Sequence, residues 1–198
     1  MRISKRQLSA GLIGAALALP VFPAEQTLNV TTVVEIDVPD AVVTGIEDLQ
    51  MQITEVPGFP ADPIAAASEF CLFTPTNFFS MTITGASTDG AGGFLLTNAD
   101  PNDPLTELEY DVGVFDIFSD PANPAPIGGG SFFANGVTES AINSSPFNTD
   151  ATCTDGENLA LIAQIVFGPG SGQAIEQIAD GQPHNFTDTL TILVEPEF

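Results

Sequence analysis

Thr27-Leu28-Asn29-Val30-Thr31-Thr32-Val33-Val34-Glu35-Ile36-Asp37-Val38 is the stretch that decides the fold class. Leu28, Val30, Val34, Ile36 and Val38 recur in steps of two, with Thr32 between them. Side chains alternate across an extended strand with that period, so these residues form one apolar face. Valine, isoleucine and threonine also suit a pleated surface better than a helix. The stretch therefore reads as one long strand with a side to bury.

The same pattern repeats along the chain in shorter runs. Leu49-Met51-Ile53, Phe70 to Phe73, Phe79-Met81-Ile83, Gly93 to Thr97 and Leu108-Tyr110-Val112-Val114 each alternate. Leu159-Leu161-Ala163-Ile165-Phe167 is apolar on both faces and reads as a central strand. Thr187 to Val194 closes the series, with Leu190, Ile192 and Val194 on one face. Clusters of Gly, Pro, Asn and Asp separate the runs. Pro57 to Ala67 breaks the pattern and reads as a short helical turn, as does Ala174 to Ala179. Ser119 to Gly130 reads as an exposed loop. About eight strands in one domain predict an all-β, immunoglobulin-like sandwich.

Upstream of the first strand the composition changes. Arg2, Lys5 and Arg6 are the 3 basic residues of the chain, and all 26 Asp and Glu follow them. They head an apolar run, Leu8 to Phe22, with the form of a secretory signal peptide. Cleavage after Ala24 leaves the first strand intact; Ala16-Leu17-Ala18 offers an alternative site. The run is shorter than the ~20 residues needed to cross a bilayer, so the expected protein is exported and not membrane-inserted. Residues 1–24 are thus expected to be a signal peptide and 25–40 an N-terminal extension. The remainder, 41–198, reads as the main domain.

Behind the signal the chain is a polyanion with no Lys or Arg. Nucleic acid, phosphate groups and anionic membranes find nothing there to pair with. Solubility in a salty habitat explains such a charge, and a divalent-cation site is the sharper alternative. The oxygen-rich loop Asp100-Pro101-Asn102-Asp103-Pro104 supplies candidate calcium ligands in Asp100, Asn102 and Asp103, without EF-hand spacing. Cys71 and Cys153, an even count in an exported chain, read as a disulfide. Catalytic signals are weak. His184 is the lone histidine and sits in a turn after Pro183. Glu107, Glu109 and Asp111 alternate as a solvated face. No enzyme activity and no cofactor are expected.

Both ends of the region after the signal are strands, and a strand edge invites a further strand. At this point a resemblance becomes specific. Val43-Thr44-Gly45-Ile46-Glu47-Asp48-Leu49 resembles the segment after the extension of chaperone–usher pilins, the group that includes spore-coat-U-like and colonisation-factor-type subunits. Phe70-Cys71-Leu72-Phe73, then Phe79-Ser80-Met81-Thr82-Ile83-Thr84-Gly85, is similar to that family's Cys strand and its neighbour. Gly93-Phe94-Leu95-Leu96-Thr97-Asn98 with Leu108-Glu109-Tyr110-Asp111-Val112 resembles an F-x-L … L-x-Y-x-V pair. Cys153 with Asn158-Leu159, and Phe186-Thr187-Asp188-Thr189-Leu190-Thr191-Ile192, resemble the second Cys region and a closing Y-x-D-T-L-T motif, with Phe for Tyr.

The resemblance implies a structural fimbrial subunit assembled by donor-strand exchange, with no catalytic residue. Leu28, Val30, Thr32, Val34, Ile36 and Val38 would be the donor face that fills a neighbour. Leu190, Ile192, Val194 and Phe198 would form the final strand, beside which a periplasmic chaperone lends its own. An outer-membrane usher would exchange that loan for the next subunit's extension. The sandwich would then be incomplete until a donor strand fills it, and the chain would be a shaft subunit at the cell surface. The family often keeps its cysteines closer together. Its extensions often carry an inward Gly, and none lies between Thr27 and Val38. That leaves open a permanent strand of its own domain, in a self-complete sandwich that binds carbohydrate or calcium.

Overall fold

The computed structural model describes residues 26–36, 41–53, 64–100, 102, 106–120, 122–147, 151–154, 156–165 and 185–197. His184, Val38, Asp103, Phe198 and the segment Ala174 to Ala179 lie outside them. Eleven strands occupy the described residues: β1 (Gln26–Ile36), β2 (Val42–Thr44), β3 (Leu49–Ile53), β4 (Ile64–Phe73), β5 (Phe78–Gly85), β6 (Phe94–Asn98), β7 (Glu107–Asp116), β8 (Ala125–Pro126), β9 (Thr138–Asn143), β10 (Leu159–Ile165) and β11 (Asn185–Glu197).

Hydrogen bonding links them in the order β2-β4-β10-β7-β6-β11-β1-β3, with β5 and then β9 branching from β11, and β8 from β7. Strand β7 turns the corner. Its first half, Glu107 to Tyr110, pairs with β6, and its second half, Asp111 to Asp116, pairs with β10. The sheet thereby curls into two facing layers, and β3 comes to lie near β4 across the core. This is the expected all-β, sandwich-like fold.

The alternation in the sequence is the alternation in the structure. Leu108, Tyr110, Val112 and Val114 are buried, whereas Glu107, Glu109 and Asp111 face solvent. Strand β10 is flanked by β4 and β7, and Leu159, Ala160, Leu161, Ala163 and Ile165 are all buried. Phe79 and Phe147 meet edge-to-face at 6.2 Å in the same core.

Two expectations need correction. Within the stretch read as an exposed loop, Ala125 and Pro126 pair as β8 with Asp116 and Phe115, and Ile127 is buried. The end of the stretch read as a helical turn, Ile64 to Ala67, is strand and pairs with Ile165 to Ile162. Three consecutive alanines, Ala65 to Ala67, carry no period of their own, and pairing with β10 overrides their helix propensity.

Candidate strand-docking site

Strand β11 is the spine of the candidate site. Leu190, Ile192 and Val194 point inward and are buried. Strand β1 runs parallel to it along ten residues, from Thr27 beside Asn185 to Ile36 beside Val194. The long first strand therefore pairs with β11 of its own chain, the arrangement the sequence left open as a permanent strand of its own domain. Its inward face is the one the sequence marks: Leu28 and Val30 are fully buried, Thr32 and Val34 partly so, and Val33 points out at 42% exposed. Burying Leu28 and Val30 contributes about 1.5–3 kcal/mol each.

The seat of β1 has two halves. Thr27 to Val30 is held on both sides, by β11 and by antiparallel pairing with Gln52 to Leu49 of β3. From Thr31 to Ile36 the described ladder partner is β11 alone. Asp48 stands at the junction and accepts the Thr32 N–H at 3.1 Å. A carboxylate on that N–H occupies a bond that an added strand would need. The Thr32 hydroxyl is buried without a hydrogen-bond partner.

On its other side β11 forks. Phe186 and Thr187 pair with β6, and Leu190 to Glu197 pair with β5. Asp188 fills the fork. Its carboxylate accepts the Tyr110 hydroxyl at 2.6 Å and the Ala86 N–H at 3.1 Å, while Ala86 N–H also reaches the Thr189 carbonyl at 2.9 Å. Tyr110 is braced by Phe94, with ring centroids 5.6 Å apart. Gly85 is required here, because a Cβ on it would stand 2.8 Å from Asp188 Oδ2 and 3.0 Å from Phe94. Burial raises the Asp188 pKa from its usual value, against the lowering pull of the bonds from Tyr110 and the backbone. Burial and then the neighbouring carboxylate push the Tyr110 phenol well above its usual value.

The opposite layer is bolted by Cys71–Cys153, whose Cα atoms are 5.7 Å apart across 82 residues. Asn158 works beside it. Its side chain accepts the Leu72 N–H at 2.9 Å and donates to the Leu72 carbonyl at 2.8 Å and the Phe147 carbonyl at 3.0 Å. Buried amides need such partners, and this one imitates a ladder residue next to β4.

Sequence reasoning marked Leu28, Val30, Thr32 and Val34, and the structure brings them against β11. It missed Asp48, Asn158 and the Asp188–Tyr110 pair. Asp188 did leave a signal: it falls in phase with Phe186, Leu190, Ile192 and Val194, a carboxylate on an apolar face. The candidate calcium loop is bonded internally, with Asp100 Oδ1 accepting from the Asn102 N–H and Nδ2. Among the described residues no group of three or more His, Cys, Asp or Glu is placed to hold a metal. No helix among them is long and apolar enough to cross a membrane.

No protein-family model matches the chain, and no curated protein matches it. Among solved structures, one chain from work described as "Chaperone-tip adhesin complex is vital for synergistic activation of CFA/I fimbriae biogenesis" is similar to it. The likeness covers 76% of this chain and 42% of that one, at 15% identity and a TM-score of 0.40. This chain thus spans less than half the length of that one, and no residue role is transferred from it.

Proposed function

We propose that this chain is an exported structural subunit of a fimbria-type filament, in which β1 exchanges between its own seat beside β11 and the same seat in a neighbouring copy. The observation that carries the reading is the seat itself. It takes a ten-residue strand along β11 and buries Leu28 and Val30 completely. A strand from a second copy makes the same ladder and fills the same pockets, so exchange changes little in contact energy. Concentration then decides between closed monomer and open chain. Head-to-tail exchange does not close on itself and gives a filament. The motif order of the sequence adds the rest of the proposal: a periplasmic chaperone that lends a strand at this seat, an outer-membrane usher, and a place at the cell surface. No catalytic role belongs to this reading.

The seating of β1 in cis favours a second reading, a self-complete sandwich that acts as a secreted binding module. Light scattering after chromatography separates the two. Protein lacking residues 1–24, held at high concentration just below its melting temperature, is expected to form a ladder of oligomers and filaments visible by negative stain. A monomer that persists unchanged at every concentration refutes the filament reading.

A further inference from the structure

We infer that the Asp188–Tyr110 clasp is a proton-dependent lock on β11, the strand that seats β1. The geometry places it to act so. Asp188 sits between the stretch of β11 held by β6 and the stretch held by β5, and it pairs in register with Val30 of β1. The carboxylate therefore ties together three strands: β11 itself, β7 through the Tyr110 hydroxyl and the end of β5 through the Ala86 N–H, at the residue whose backbone pairs with Val30 of β1.

The lock is also electrostatically exposed to acid. No lysine or arginine follows Arg6, so neither is there to hold the charge of a buried carboxylate. Tyr110 is the titratable group facing it among the described residues. Gly85 and Ala86 from the β5 side, Phe94 from β6, Asn135 from the adjoining loop and Val30 from β1 bring no charge. Removal from water is the largest influence on Asp188 and favours its neutral form. A group whose folded-state pKa is raised gives stability that is complete below its unfolded value and is lost as pH rises through the folded value. Mild acid thus tightens the fork and the seat of β1, and neutral pH loosens both.

The chain supplies its own probe. It has one tyrosine and no tryptophan, so tyrosine emission reports Tyr110 alone. A carboxylate hydrogen-bonded to a phenol quenches that emission, and a protonated one quenches less. Emission of the full protein without its signal is expected to rise on mild acidification, with a midpoint above the ordinary aspartate value. In Asp188→Asn the emission stays flat over the same range. Amide exchange along β1 is expected to slow in mild acid in the wild type, and to show less of that slowing in Asp188→Asn. Tyr110→Phe removes the hydroxyl and keeps the ring. It is expected to raise the unfolding constant about tenfold or more at neutral pH, and by less in mild acid, because a buried charge has lost its donor. Should Asp188→Asn not fold, the wild-type emission midpoint and the pH dependence of Tyr110→Phe still decide. A wild-type midpoint at the ordinary aspartate value overturns the lock. So does the same emission change in Asp188→Asn, or a Tyr110→Phe loss equal at both pH values. These readouts use the monomer, so they stand or fall separately from filament formation.

Discussion

Replacing Leu28 by alanine tests the seat of β1 more sharply than deleting the strand. Leu28 is fully buried, lies beside Phe186 of β11, and is opposite Met51 of β3. Truncation removes three buried carbons and leaves a cavity walled by strands on both sides, which limits collapse. Core Leu→Ala changes cost about 2–5 kcal/mol, or roughly 30- to 5,000-fold in the unfolding constant. That is a large share of the about 5–15 kcal/mol that holds a domain. The matched control is Val33→Ala, five residues on along the same strand with its side chain 42% exposed, where the change should stay within about 0.5 kcal/mol. Urea melts of both variants followed by circular dichroism give the two values directly. The denaturant slope should match wild type in each, since neither change alters the surface exposed on unfolding. Equal losses at positions 28 and 33 would refute the seating of β1, and a larger loss at 33 would reverse its facing.

Other outcomes follow from the same contacts. Reducing Cys71–Cys153 should lower stability by about 4–5 kcal/mol in the chain-entropy view, given the 82 residues it spans, and intact mass with and without reductant should differ by two hydrogens. Asn158→Ala should cost about 2–4 kcal/mol, because it orphans the Leu72 N–H and carbonyl in the core; thermal melts check it, and a loss under 0.5 kcal/mol contradicts the clamp. Ala141 holds a left-handed φ of 56° where β9 bulges against β5, between the pairs Phe79–Ile142 and Met81–Glu139. Ala141→Gly should therefore stabilise by about 1 kcal/mol in chemical denaturation, and a loss there would mean that the bulge is not strained.

Much of this architecture can be read from alternation alone. The even positions of β1, the buried row of β7 and the two-sided burial of β10 all follow from residue spacing. Pairing does not. Nothing local in Thr27 to Ile36 says that its partner is Asn185 to Val194, because a ladder between distant segments is chosen by the whole core. That is why the sequence gives β1 an apolar face and leaves its owner open. Strand β9 escaped for a different reason: Thr138 to Asn143 is an edge strand with Ile142 as its one buried apolar residue, so it has no period to read. Asp188 and Asn158 escaped because a buried polar residue is recognisable only once its partners converge from other strands. The clasp on Asp188 also runs against a second carboxylate. Asp89 has its pKa lowered by N–H groups of Gly93 and Ala91, so its contribution to stability fades as pH falls through the lowered value, while that of Asp188 grows.

The central claim, that the seat beside β11 accepts a strand in trans, is tested most directly by adding one. A variant that begins after residue 40 is mixed with a synthetic peptide of residues 26–38, and binding is followed by native mass spectrometry and thermal melting. The expected result is a one-to-one complex that restores a cooperative melt, with binding abolished when the peptide carries Val30→Asp and retained with Val33→Asp. A variant that melts like the full protein without peptide, or a peptide that fails to bind, contradicts the exchange of β1.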